Sequence, residues 1–277
     1  MQSGRVELMD CLREGADVLP DETFAGQVAV VTGGGTGIGF GIAEMLGRHG
    51  AQVVLAGRNP EHVHPAAERL QAAGISAIGV PTDVRQPDQV DQLFEQAKAK
   101  FGDVHLLVNA AAGNFMVDAE KLSVNGFNAV VSSVLHGTFY CTRAAGLAMM
   151  AAGHGGSIVN IVASYAWMGG PKNLHSAVAK AGVVTLTRTL AVEWAPKGIR
   201  VNAVCPGPTD TEGARAGLWP DDASAARLLA KIPRGRFGTV AEVANAAGYL
   251  LSPYADFITG EVLVIDGGEW LGKGLSS

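Results

Sequence analysis

Cysteine is scarce in this chain. There are three, Cys11, Cys141 and Cys205, an odd number with no CxxC pair and no His/Cys ligand spacing. That argues against a disulfide framework and against a structural metal, and it fits a reducing compartment. The expected state of Cys141 and Cys205 is as small buried hydrophobes. Charge is also thin: Asp, Glu, Lys and Arg make up 17% of the 277 residues, and 26 acids against 21 bases leave a net charge of −5. A general nucleic-acid binder needs the opposite sign, although a local basic pocket for an anionic ligand remains compatible. No apolar run reaches membrane-spanning length. The first residues mix Arg5 and Arg13 with Glu7, Asp10, Glu14 and Asp17, have no apolar core segment, and are too acidic for a transit peptide. The final GLSS is not a peroxisomal address. Cytoplasmic localisation is the default expectation.

Apolar residues and glycine are abundant, at 48% and 37 residues respectively. This is the composition of a well-buried globular domain, and the length suits one large α/β domain. The stretch that organises it is Gln27–Gly41, QVAVVTGGGTGIGFG. Val28–Val31 is short, apolar and β-branched, as in a strand buried on both faces. Gly33, Gly35, Thr36, Gly37, Ile38 and Gly39 then form a turn where bare backbone can approach a ligand. The following helix aims its N-terminal N–H groups at the same place, so a pyrophosphate is the expected guest.

Strand and helix patterns alternate through the rest of the chain. Further strands are expected at Gln52–Ala56, Ala77–Pro81, Val104–Val108, Ser157–Val162, Ile199–Val204 and Glu261–Ile265. Helices are expected at Phe40–His49, Glu61–Ala73, Pro87–Phe101, Phe127–Met150, Leu174–Trp194 and Val240–Leu251. The reading is a single α/β domain with a Rossmann-type, doubly wound, parallel seven-stranded sheet. Residues 1–24 form an extension with a short helix at Val6–Leu12 and a lead-in around Pro20. Residues 25–277 form the dinucleotide-binding domain, with loops and short helices at 210–235 as a substrate lid. The second strand ends Ala56-Gly57-Arg58-Asn59. An acid there would bind the ribose 2′-hydroxyl of NAD. Arg58 without such an acid suits a 2′-phosphate, so NADP(H) is favoured over NAD.

The TGGGTGIG turn resembles that of the short-chain dehydrogenase/reductase family. Other landmarks resemble it too: the Asn109-Ala110-Ala111-Ala112-Gly113 turn, Lys180, the Pro206-Gly207-Pro208-Thr209 turn, and Asp266-Gly267-Gly268. The resemblance implies cofactor contacts at Asp83, Val84, Asn109, Ala110, Ala111, Lys180, Pro206, Gly207 and Thr209. The usual catalytic pattern is broken, however. Most members have Tyr-x-x-x-Lys, and Ser176 stands where that Tyr should be. Ala163 and Val134 occupy the positions of the usual Ser and Asn. Tyr165 lies earlier in the chain, and Asn114-Phe115 follows the glycine turn directly. This arrangement resembles the NADPH-dependent 2,4-dienoyl-CoA reductases, above all the mitochondrial kind. One lid arginine of that subgroup is replaced by Gly217, with Arg215 as a candidate substitute.

The resemblance implies Tyr165, Lys180 and Asn114 as catalytic residues, and Arg85, Phe115, Ser123 and Arg215 as contacts to an acyl-CoA substrate. It also implies a homotetramer built on the two long apolar helices. A nucleophilic Ser176–His175 pair is disfavoured, because adjacent helix residues point apart and no acid orients the histidine. His136 reads as an interface or pocket-edge residue, and Glu120 as a solvated loop carboxylate. Two competing functions stay open: another oxidoreductase acting on enoyl-, acyl- or ketoacyl-CoA, or an inactive NADP-binding module.

Overall fold

The computed structural model describes residues 18–219 and 221–272, so the expected Val6–Leu12 helix lies outside the described residues. Seven parallel strands form one sheet in the order β3-β2-β1-β4-β5-β6-β7. They are β1 (Val28–Thr32), β2 (Gln52–Gly57), β3 (Ala77–Pro81), β4 (Leu106–Asn109), β5 (Gly156–Ile161), β6 (Ile199–Pro206) and β7 (Val262–Ile265). β1 pairs with both β2 and β4, and Thr32 lies opposite Asn109 at the carboxyl ends. The chain changes its direction of winding between these two strands. In open α/β sheets that is where the ligand crevice forms.

The core explains the uninterrupted apolar strands. Ala29, Val31, Val53 and Leu55 pack into one cluster. Val28, Val30, Val54 and Ala56 pack into another on the opposite face. Successive side chains point to opposite faces, so both must be apolar when helices cover both sides. One face is covered by α1 (Gly37–Arg48), α2 (Pro60–Ala72) and, late in the chain, α10 (Val240–Leu251). The other is covered by α3 (Pro87–Phe101), α5 (Gly137–Ala152) and α7 (Leu174–Trp194). Leu19 and Phe24, assigned to the extension from sequence, are core residues of the first cluster. Residues 18–24 are therefore tied down, and the Phe24 N–H donates to the His49 carbonyl at 2.8 Å.

The expected single helix Phe127–Met150 is three segments: α4 (Val124–Val131), a π-helical turn at Ser132–His136, and α5. Two local contacts mark the change. The Thr138 hydroxyl donates to the Val134 carbonyl at 2.6 Å. At Gly137 the backbone passes so close to Val84 that an added Cβ would lie 2.6 Å from its side chain. Wide turns of this kind are frequent at functional sites. Residues 210–235 hold α8 (Glu212–Leu218) and α9 (Asp222–Leu229), in keeping with the expected short helices. α6 (Tyr165–Met168) is a single turn just past β5, and α11 (Glu269–Gly272) follows β7.

Candidate active site

A cleft of about 1140 Å³ opens at the carboxyl ends of β1 and β4. Its floor is the glycine turn, where Gly33, Gly35, Thr36, Gly37, Ile38 and Gly39 all face the cavity. Gly33 has φ +65°, and a Cβ there would lie 2.8 Å from the Ala110 backbone. A side chain would thus break both the turn and its seat against β4. α1 begins here with no acidic residue in its first turn. Its positive end is free to face an anion. Arg58, Val84, Ala110, Ala111 and Asn114 line the same cleft. Among the described residues Arg58 makes no ion pair, whereas Arg85, Arg215 and Arg236 all do.

The other end of the site is made of side chains from distant segments. Tyr165 begins α6, and its hydroxyl shares a 3.0 Å hydrogen bond with Ser176 Oγ. Burial raises the phenol above its ordinary pKa, with the Ser176 bond working the other way. Ser176 lies one turn before Lys180 on α7, so both share a helix face. Lys180 is buried, and its ammonium donates to the Ile161 carbonyl at 2.5 Å. Burial pushes its pKa down to about 8, and Cys205 opposes this weakly. Asn114 is held at both ends: its amide nitrogen donates to Asn173 Oδ1 at 2.7 Å, and its oxygen accepts the Phe115 N–H at 2.9 Å. The Phe115 ring sits 4.4 Å from the His175 ring.

Several residues expected from sequence have other occupations. The Asn109 side chain is buried behind the strand ends, where its amide nitrogen donates to Thr142 and Asn160, both at 2.9 Å. It locks β4 to its neighbours and does not line the cleft. The Asp83 carboxylate receives the Arg85 guanidinium in a two-pronged ion pair, with Nε at 2.9 and 3.0 Å. That contact holds Asp83 below the usual carboxylate range. Arg215 is tied to Asp210 in the same way and is largely exposed. Ser123 caps α4 by accepting the Gly126 N–H at 3.0 Å. Thr209 lies with Pro208, Arg234 and Arg236 in a smaller pocket of about 240 Å³; Pro206 and Gly207 precede it at the end of β6.

Sequence reasoning missed Ser176 as a partner of Tyr165, and Ser133 and His62 as cleft residues. Ser133 sits in the π-helical turn. The only sequence signal for Ser176 was its place four residues before Lys180. Val134 and Ala163, at the positions of the usual donors, are apolar, and Val134 is 1% exposed. Among the described residues no three His, Cys, Asp or Glu side chains converge as a metal site requires.

Known proteins share this architecture. A family model described as enoyl-(acyl carrier protein) reductase, of the short-chain dehydrogenase type, matches residues 33–269. The chain belongs to the short-chain dehydrogenase/reductase family. A probable 2,4-dienoyl-CoA reductase [(2E)-enoyl-CoA-producing] of Bacillus subtilis is 40% identical over 88% of this chain and 97% of its own. A peroxisomal 2,4-dienoyl-CoA reductase [(3E)-enoyl-CoA-producing] of Rattus norvegicus is 42% identical over 96% of this chain and 91% of its own. Among solved structures, a short-chain dehydrogenase of Bacillus anthracis superposes with a TM-score of 0.81 at 43% identity, over 88% of this chain and 96% of its own. A gluconate 5-dehydrogenase of Burkholderia cenocepacia, in complex with NADP and tartrate, gives 0.84 at 32% identity, over 90% of this chain and 97% of its own.

As a short-chain dehydrogenase/reductase, the protein is an oxidoreductase with a nicotinamide cofactor. Its cleft fits that group on its own evidence. The turn is too tight for side chains where a pyrophosphate would lie. An arginine without an ion-pair partner among the described residues stands at the end of β2.

Proposed function

We propose that the protein is an NADPH-dependent 2,4-dienoyl-CoA reductase that serves the breakdown of unsaturated fatty acids. The observation that carries this reading is the Tyr165–Ser176 hydrogen bond one turn from Lys180, in a site where Val134 and Ala163 replace the usual donors. The cofactor, when bound, would supply the hydride that adds at the far end of a conjugated dienoyl thioester, leaving negative charge on the thioester oxygen until a proton from water completes the enoyl product. That oxygen needs preset hydrogen-bond donors, and the carbon receiving hydride needs no acid. Tyr165 and Asn114 are the donors assigned to it. Ser176 fixes the phenol by donating its own hydroxyl hydrogen to the phenol oxygen, which leaves the phenol proton for the thioester oxygen, and Asn173 fixes the Asn114 amide. Lys180 binds the nicotinamide ribose and adds positive charge near the developing anion.

Gly33, Gly35, Thr36, Gly37, Ile38 and Gly39 hold the pyrophosphate, and Arg58 takes the 2′-phosphate. Val84, Ala110 and Ala111 line the adenosine and ribose positions. Phe115 and Ser123 border the acyl group. Arg85 meets the CoA phosphates, and Arg215 does so by exchanging Asp210 for them. α5 and α7 leave Phe139, Leu147, Val178 and Val192 exposed, the last at 78%. These side chains suit the subunit contacts of a homotetramer. Size-exclusion chromatography should give four subunits; a monomer at all concentrations would contradict that. No described helix is long and apolar enough to cross a membrane.

Two relatives differ in the product their names state, (2E)- or (3E)-enoyl-CoA. The test is therefore the loss of the dienoyl chromophore with NADPH, followed by identification of the product. Turnover is expected with NADPH and much less with NADH. No turnover across several chain lengths would overturn the reading, and turnover of enoyl- or ketoacyl-CoA alone would move it to another member of the family.

A further inference from the structure

His175 has no role in the mechanism above, yet its surroundings are unusual. It is the second residue of α7 and is completely buried, and neither ring nitrogen has a hydrogen-bond partner. Buried polar groups are rarely left so. A phenylalanine or leucine would fill the same space without an unpaired donor and acceptor. The cover over the ring is Phe115, 4.4 Å away and tilted by 32°. Phe115 is itself 43% exposed, so it is the outer wall of this pocket. His175 also lies between two clamps. Asn173 holds Asn114 and Ser176 holds Tyr165, so the start of α7 meets three residues assigned to the substrate.

We propose that His175 is a positioning residue for the acyl site: as a neutral ring it seats Phe115, and charging it unseats Phe115 and weakens substrate binding. This rests on the dienoyl-thioester reading, which assigns Phe115 to the acyl group. The titratable groups of the surrounding elements offer the charged ring no carboxylate. On α7 the nearest along the helix is Lys180, on α6 it is Tyr165, and the π-helical turn carries His136. α4 has none. Asp118, in the loop beyond Phe115, is already shared by Lys121 at 3.4 Å and Lys172 at 3.5 Å. Burial disfavours the imidazolium, and the nearby Phe115 backbone offsets only part of that, without a hydrogen bond of normal geometry. Attraction of a cation to the Phe115 ring works in the same offsetting direction. With burial the larger effect, the seat holds at neutral pH and fails only as pH falls below the ordinary histidine value.

The test is KM and kcat for a 2,4-dienoyl-CoA at saturating NADPH, from about pH 5.5 to about 8, in wild type, His175→Phe and His175→Gln. Wild-type KM should rise severalfold, and less than about tenfold, toward the acid end while kcat changes less, because burial holds the ring's pKa below the ordinary histidine value. KM of His175→Phe should be flat over that range, and that of His175→Gln flat but higher. A flat wild-type KM, or the same acid rise in His175→Phe, overturns the proposal. A substrate-free measurement keeps it separate from the reaction itself. In Phe115→Trp the emission should change with pH on acidification, and adding His175→Phe should remove that change. An acid response that survives the second substitution overturns the seat. If wild type turns over no dienoyl-CoA at all, the proposed reaction fails, and the fluorescence titration still decides the role of His175.

Discussion

The two ends of the site are built on different principles. At the cofactor end the working atoms are backbone: the glycine turn, the start of α1 and the ends of β1 and β4. At the proposed substrate end they are side chains that hold one another, Tyr165 with Ser176 and Asn114 with Asn173. A backbone site tolerates variation in its neighbours but not the addition of a Cβ. A side-chain site tolerates backbone variation but not the loss of one partner. The same fold can thus keep its nucleotide while the chemistry beside it is rearranged.

The sharpest way to break the comparison is at Gly39, where an added Cβ would lie 2.2 Å from the Gly33 carbonyl oxygen. Gly39→Val should abolish NADPH binding in a fluorescence titration, and retained binding would show that the turn is not the cradle. Arg58 is the charged side chain that the proposed function assigns to the 2′-phosphate. Arg58→Ala should weaken NADPH binding about 10- to 100-fold and leave NADH binding unchanged, as measured by calorimetry. At the substrate end, Lys180 should act in its charged form, with a pKa of about 8. In the cofactor-free protein its stability effect has the opposite sign from its catalytic one. The folded pKa lies below the unfolded value, so the unfolded chain binds the extra proton above about pH 8. Folding stability should rise from this group between about pH 8 and about 10.4, while turnover falls. Thermal melts and a pH–rate profile, each repeated with Lys180→Met, would separate the two. The smallest expected effect is that of Ser176→Ala, a loss in kcat of about fivefold with NADPH affinity unchanged.

This contrast also explains what could be read from the amino-acid sequence. The sheet and its helices were legible because both faces of β1 and β2 are buried, which forces uninterrupted apolar runs separated by glycine turns. The backbone cradle was legible because only glycine fits it. The substrate end was legible only residue by residue. Asn114 and Asn173 lie 59 residues apart, and no periodicity connects them. Ser176 stood in plain view at a position where the family usually has tyrosine, and its link to Tyr165 exists only in three dimensions. The ion pairs of Arg85 with Asp83 and Arg215 with Asp210 were likewise hidden, because sequence shows charge but not which charges are already matched. The π-helical turn at Ser132–His136 escaped because its apolar pattern continues that of the flanking helices.

The central claim is that the Tyr165 phenol stabilises charge on the oxygen of a conjugated thioester. The most direct measurement is the single-turnover rate of Tyr165→Phe with a 2,4-dienoyl-CoA and saturating NADPH, beside its NADPH affinity. The account predicts a rate lowered about a hundredfold or more, with unchanged affinity for the cofactor. A variant that reduces the dienoyl thioester at the wild-type rate would contradict it.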